Sequence, residues 1–280
     1  MKLKEKMVAV PIIKHPMVYL LLVLVFLAML RTPILSVFSR PEMILMIYLG
    51  IFLIFSVTVG FKEIGPFYNK GGGIINLIGI TGAVYVCGIL AESFTGYFLS
   101  ANDPQLLNQY TFHLSGPYVL NQLARYSLVG IGEEIFKLCV FFILYWLGVK
   151  VSKHKLGSCI ISVITTSFFF GLLHSNYNYD QWLNITLIIG VGALVYFYFL
   201  FKYQTIVPLM IAHGLQDFLV SLEHTEELTG IYSLFLVALI LIWFIARFGF
   251  GIKVKTERGL GHLFLMEFFM NFDFCDLSLI

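Results

Sequence analysis

The chain reads as a series of apolar runs, each about as long as a helix needs to cross a bilayer, cut by short polar or glycine-rich connections. The first run covers about 17–38, behind a polar start carrying Lys2, Lys4, Lys6 and Lys14. That start resembles a secretory signal only superficially. The run is long and no small-residue cleavage site follows, so it is expected to stay attached. Further spans are predicted over about 43–61, 74–97, 118–149, 156–174, 182–201, 205–222 and 230–248. The 100–117 connection lacks Lys and Arg and mixes Asn, Gln and Tyr, which suits a loop or a short interfacial helix. The run 118–149 exceeds a straight crossing and is expected to tilt or break, with Gly130 and Gly132 as the weak points. The predicted fold is all-α, a polytopic transmembrane helical bundle of about eight spans. It forms a single integral membrane domain over 1–258, with a motif-bearing core at about 118–222 and an unassigned apolar tail at 259–280.

Composition sharpens this picture. Hydrophobic residues make up 59% and charged residues 12%, with a mean hydropathy of +0.89. A soluble domain carries about a quarter charged residues, so that class is excluded. The partner this composition implies is the lipid bilayer, with no nucleic acid expected. Cys87, Cys139, Cys159 and Cys275 lie in or beside apolar stretches without C-x-x-C spacing, which points to packing rather than a disulfide frame or zinc knuckle.

The net charge of +2 matters less than its distribution. With the amino terminus in the cytoplasm, Lys2, Lys4, Lys6, Lys14, Lys62, Lys70, Lys150, Lys153, Lys155, Lys202, Arg247, Lys253, Lys255 and Arg258 all fall on that side. Arg40 falls outside. This positive-inside pattern supports eight spans with both termini cytoplasmic.

The chemistry concentrates in Gly130-Ile131-Gly132-Glu133-Glu134-Ile135-Phe136-Lys137, two carboxylates and an ammonium in an apolar run. Each ionisable group at a bilayer centre costs about 2.5–3.5 kcal/mol on insertion scales, so three within a turn require a reason. On a helix, Glu133 and Lys137 share a face, while Glu134 points about 100° away toward a second partner. A buried ion pair would account for packing but leaves one carboxylate over. Arg31 and Arg125 lie nearer span ends, where they can snorkel.

His174 closes Phe170-Gly171-Leu172-Leu173-His174, and His213 and Asp217 stand one turn apart, so the carboxylate can hold the imidazole's tautomer and orientation. Polar clusters on three spans must face inward and find one another. Together they would supply a carboxylate to take a proton from water, two imidazoles to serve an oxyanion or leaving amine, and a cation for the second carboxylate. That set suits hydrolysis of an amide. Gly-x-Ser-x-Gly, paired Gly-Asp elements and His-Glu-x-x-His are all absent, so serine, aspartyl and common zinc designs lack their signatures. No cofactor is expected, although a zinc ion held by His, His and Glu from separate helices stays open. So do a non-catalytic membrane partner and an ion or proton transporter. Against transport, the intramembrane polar residues concentrate in the second half.

The order Glu133-Glu134, Phe170-x-x-x-His174, His213-x-x-x-Asp217 resembles the CPBP family, the CAAX prenyl endopeptidase and Abi group, whose pattern is E-E-x-x-x-R, F-x-x-x-H and H-x-x-x-N or H-x-x-x-D. The likeness covers about 128–219. It implies a glutamic-type intramembrane protease in which Glu133, with His174, activates water, Glu134 is held by a cation, and His213 and the Asp217 position stabilise the oxyanion. The family's Arg falls at Leu138, and the cation here is Lys137, an E-E-x-x-K spacing similar to PrsW-type proteases. Lysine is a point charge without the guanidinium fork. The bacterial branch of the resemblance implies a plasma-membrane protein in peptide processing or bacteriocin immunity.

Overall fold

The computed structural model describes residues 2–31, 49–50, 53–55, 63–64, 67, 73–99, 113–175, 179–223, 225–228 and 230–244. The chain divides into two compact units, Met1–Phe235 and Leu236–Ile280. Among the described residues the regular elements are helices: α1 (Leu3–Val8), α2 (Pro16–Arg31), α3 (Ile74–Leu99), α4 (Gly116–Ser152), α5 (Lys155–Leu173), α6 (Trp182–Tyr203), α7 (Val207–Glu223) and α8 (Ile231–Phe244). The described part of the second unit is the apolar end of α8.

In the first unit, α4 packs against α2, α5 and α7, while α6 packs against α3 and α5 and α3 also meets α7. Aromatic side chains fill the middle. Phe141, Phe142 and Tyr145 of α4 are fully buried, with Phe141 against Phe197 and Phe201 of α6 and Phe142 against Tyr19 and Phe67. Outward, α3 exposes Ile75, Ile78, Phe94, Tyr97 and Phe98, a face suited to lipid rather than water.

Among the described residues, four helices are long and apolar enough to cross a membrane: α3, α4, α5 and α6. Shorter apolar stretches, Pro16–Ala28 and Ser233–Ile242, lie within α2 and α8. Among the described residues, four of the predicted spans are thus long apolar helices and two more contain these shorter apolar stretches. Most of the predicted 43–61 span and of the 62–73 turn, with Lys62 and Lys70, the 100–112 part of the connection, Arg40, and the 259–280 tail with Cys275 lie outside the described residues.

Helix α4 corrects one expectation. It runs unbroken for 37 residues, about 55 Å at 1.5 Å per residue, so it exceeds the hydrocarbon thickness and must tilt or project. Gly130 is a crossing point rather than a hinge. A Cβ there would lie 2.5 Å from the backbone nitrogen of Gly214 and 2.6 Å from the Met210 carbonyl on α7. A Cβ on Gly214 would likewise lie 2.7 Å from the Tyr126 carbonyl, so only glycine lets these backbones approach so closely.

The helix ends follow local chemistry. Ser115 caps α4 by accepting from the Tyr118 backbone N–H, next to Pro117 in the first turn. At the other end Lys153 closes it in the left-handed region, φ 59°, and the His154 side chain caps α5 by accepting from Gly157 N–H. These caps fix the α4–α5 hairpin and so the register of Glu133 against His174.

Candidate active site

The second carboxylate of the α4 pair is the hub. Glu134 Oε1 lies 2.5 Å from Lys137 Nζ and 2.7 Å from His213 Nδ1, and both Glu134 and Lys137 are 3% exposed. Lys137 therefore pairs with Glu134 rather than with Glu133. Spacings of three and four residues share a helix face equally well, so packing against α7 decides between them. The ammonium also sits over the Phe170 ring at 4.5 Å and the Tyr196 ring at 4.7 Å, which gives it two aromatic faces where water would otherwise solvate it.

The Lys137–Glu134 pair releases Glu133 for the histidines. Glu133 Oε2 lies 3.4 Å from His213 Nε2 and 3.8 Å from His174 Nε2. His174 is the cap residue after α5, and its Nδ1 donates to the Phe170 carbonyl at 2.9 Å. A carbonyl only accepts, so the proton sits on Nδ1 and a neutral His174 presents the Nε2 lone pair toward Glu133. The Phe170 ring packs against His174 with centroids 4.6 Å apart.

His213 is oriented differently from the sequence expectation. Its Nδ1–H donates to Glu134, while Asp217 Oδ2 is 3.8 Å from Nε2, beyond hydrogen-bond range. Glu134, from another helix, holds this ring. Asp217, one turn away, places its charge beside the opposite nitrogen. The structure thus brings Glu133, Glu134, His174, His213 and Asp217 into one cluster, with Lys137 and Phe170 supporting it. Arg125 takes no part: its guanidinium lies over the Tyr126 ring at 5.4 Å.

A cavity of about 50 Å³ opens beside the cluster, lined by Lys137, Phe170, His174, His213 and Asp217, with Glu92, Ile188, Ile189, Gly192, Ala193, Tyr196 and Gln216. One water needs about 10–15 Å³, so the cavity has room for a few. Glu133 is not among the lining residues, and its side chain, in reach of both histidines, is 14% exposed. Among the described residues no group of three or more His, Cys, Asp and Glu side chains is arranged to hold a metal ion.

Three lining residues with polar side-chain groups, Glu92, Tyr196 and Gln216, escaped the sequence reading. Glu92 on α3 accepts from Gln216 Nε2 at 2.9 Å, and Tyr196 on α6 donates to Gln216 Oε1 at 3.3 Å. The first half of the chain therefore does contribute an ionisable group. The signal was available, because the cost that singles out Glu133 applies equally to a carboxylate within 74–97.

Residues 115–219 match the family model of type II CAAX prenyl endopeptidases, Rce1-like. This stretch is similar to Rce1-like domains. It agrees with the resemblance drawn from the order of the three motifs. The Rce1-like stretch contains α4, α5, α6 and most of α7, and with them Glu133, Glu134, Lys137, His174, His213 and Asp217. Glu92 lies outside it. Together with this match, the four helices long and apolar enough to cross a membrane support a multi-pass membrane protein. No curated protein and no solved structure matches the chain.

Proposed function

We propose that the chain is an intramembrane endopeptidase that cleaves a peptide bond of a membrane-associated peptide or protein with a glutamate-activated water. The observation that carries this reading is the position of Glu133 Oε2, within 4 Å of two imidazole nitrogens that line a water-sized cavity. Glu133 takes the proton from the attacking water while the His174 Nε2 lone pair orients it. The water oxygen bonds to the scissile carbonyl carbon. His213, in its doubly protonated form, donates from Nε2 to the developing oxyanion. The proton taken by Glu133 then passes to the leaving amine as the C–N bond breaks.

Glu134 and Lys137 support this chemistry from behind. Glu134 fixes the His213 ring, and Lys137 neutralises the carboxylate that does so. Asp217 supplies a counter-charge beside Nε2. The resemblance to the family's bacterial branch supports a substrate in peptide processing or bacteriocin immunity, and the distribution of basic residues supports cytoplasmic termini.

Purified protein in lipid nanodiscs, incubated with a library of hydrophobic peptides, tests the reading. Wild type is expected to cleave in the presence of chelator, and Glu133→Ala and Glu133→Gln to be inactive at matched folded protein. Cleavage lost on chelation and restored by zinc would replace the free-water mechanism with a metal-bound one. An active Glu133→Ala protein would remove Glu133 from the chemistry.

A further inference from the structure

We propose that Glu92, on α3 and outside the Rce1-like stretch, is a positioning residue that sets the Lys137 ammonium, and through it Glu134, by way of Gln216 and Tyr196. The kinetic consequence rests on the protease reading above; the structural one does not.

The chain of contacts starts from an asymmetry in hydrogen bonding. The two ends of a glutamine amide have nearly the same shape, and only the partners decide which way it faces. Glu92 Oε2 accepts from Gln216 Nε2 at 2.9 Å and so draws the NH₂ group toward α3. The Gln216 carbonyl oxygen is thereby turned to Tyr196, whose hydroxyl donates to it at 3.3 Å, the longer and weaker link. The Tyr196 ring then lies under Lys137 Nζ at 4.7 Å and edge-on to the His213 ring, with centroids 5.9 Å apart.

Two glycines show that α3 is fitted to this task. A Cβ on Gly192 of α6 would overlap the Glu92 carboxylate, so its absence provides the seat from which Glu92 reaches Gln216. One turn before Glu92, a Cβ on Gly88 would lie 3.0 Å from the Tyr196 ring. Helix α3 thus touches Tyr196 twice, through the glycine directly and through Glu92 by way of Gln216. Because Gln216 sits on α7 three residues after His213, the same contact ties α3 to the helix that carries the imidazole.

The test combines a spectroscopic and a kinetic arm. In lysine-labelled protein in nanodiscs, the ε-methylene protons of Lys137 should resonate upfield under the Phe170 and Tyr196 rings. Glu92→Ala is expected to move that signal, and Glu92→Gln, whose amide oxygen can still accept from Gln216, to restore it. In the kinetic arm, Glu92→Ala should lower kcat about tenfold with KM little changed, the size of one hydrogen bond's contribution. Tyr196→Phe should do the same, and the double variant should be no slower than either single one, since both interrupt one chain of contacts.

Should Glu92→Ala fail to fold, Gln216→Met interrupts the same chain and is read in the same way. An unmoved Lys137 signal in the interrupted variant overturns the proposal. So do multiplicative losses in the double variant, or a Glu92→Gln protein as impaired as Glu92→Ala, which would mean that the charge itself is required. If wild type cleaves no peptide, the protease reading fails while the Lys137 signal still decides the positioning role.

Discussion

Replacing Lys137 by methionine keeps the chain length of the side chain but strands Glu134. The carboxylate would remain 3% exposed, with His213 Nδ1 at 2.7 Å as its remaining partner among those that now hold it. Breaking a buried pair by removing one member costs about 3–5 kcal/mol, because the surviving charge loses its compensation and cannot reach water. The retained His213 bond argues for the lower part of that range. The lost contacts with Phe170 and Tyr196, each worth about 0.5–2 kcal/mol for a desolvated cation over a ring, argue for the upper part. For chains of 150–250 residues 1 kcal/mol corresponds to about 2–4 °C, so Lys137→Met should melt about 6–20 °C below wild type. Intrinsic tryptophan fluorescence during heating in nanodiscs reads the shift. The double variant Lys137→Met with Glu134→Gln removes both charges while leaving an amide oxygen for His213, and should recover most of the loss. A Lys137→Met protein that melts like wild type, or a double variant less stable than the single one, would refute the claim that the ammonium holds this carboxylate.

Glu134→Gln should retain measurable cleavage because its oxygen still accepts from His213, whereas Glu134→Leu should lose about 10–100-fold, the worth of a charge-assisted hydrogen bond. Gly130→Ala forces a methyl group against the Gly214 backbone and should cost about 1–3 kcal/mol of stability together with activity, both read on the same nanodisc preparation. Single cysteines in place of Lys153 or Lys202 should resist an impermeant reagent on intact cells while one at Asp180 reacts, and the reverse pattern would invert the orientation drawn from the basic residues.

The long helices were legible because hydropathy alone sets their length. The runs 74–97, 156–174 and 182–201 differ from α3, α5 and α6 by a few terminal residues, where hydrophobicity fades before hydrogen bonding does. The gathering of Glu133, His174 and His213 was legible for a related reason, since polar side chains within apolar helices have nowhere to go except toward one another. Which partner each chose was not. Lys137 had a carboxylate at three and at four residues' distance, and only the approach of α7 settles it on Glu134. The anticipated His213–Asp217 bond likewise gave way to one from 79 residues away, because a ring can turn to a better-placed carboxylate on a neighbouring helix. Glu92 itself was legible as a carboxylate within an apolar run, but its partner Gln216 lies 124 residues along the chain, where no spacing rule reaches. Gly130 was taken for a point of weakness because glycine lowers helix propensity, a penalty of about 1 kcal/mol that a tight helix contact offsets.

The crossing of Gly130 with Gly214 bears on how steadily the site can hold its shape. Gly130 lies one turn from Glu134, and Gly214 is next to His213, so the backbones touch about 6 Å along the axis from the groups whose separation matters. Two rods pinned near their working ends transmit little of their rocking to those ends. A 5° swing about this pivot moves the facing atoms by only about 0.5 Å, close to the tolerance that a preorganised constellation can absorb. The same swing about a pivot at the far end of α4, some 27 Å away for the 18 residues from Glu134 to Ser152, would move them by about 2 Å and break the Glu134–His213 hydrogen bond between α4 and α7. A bilayer that thickens, thins or bends can therefore tilt these helices while leaving the distance between carboxylate and imidazole nearly constant.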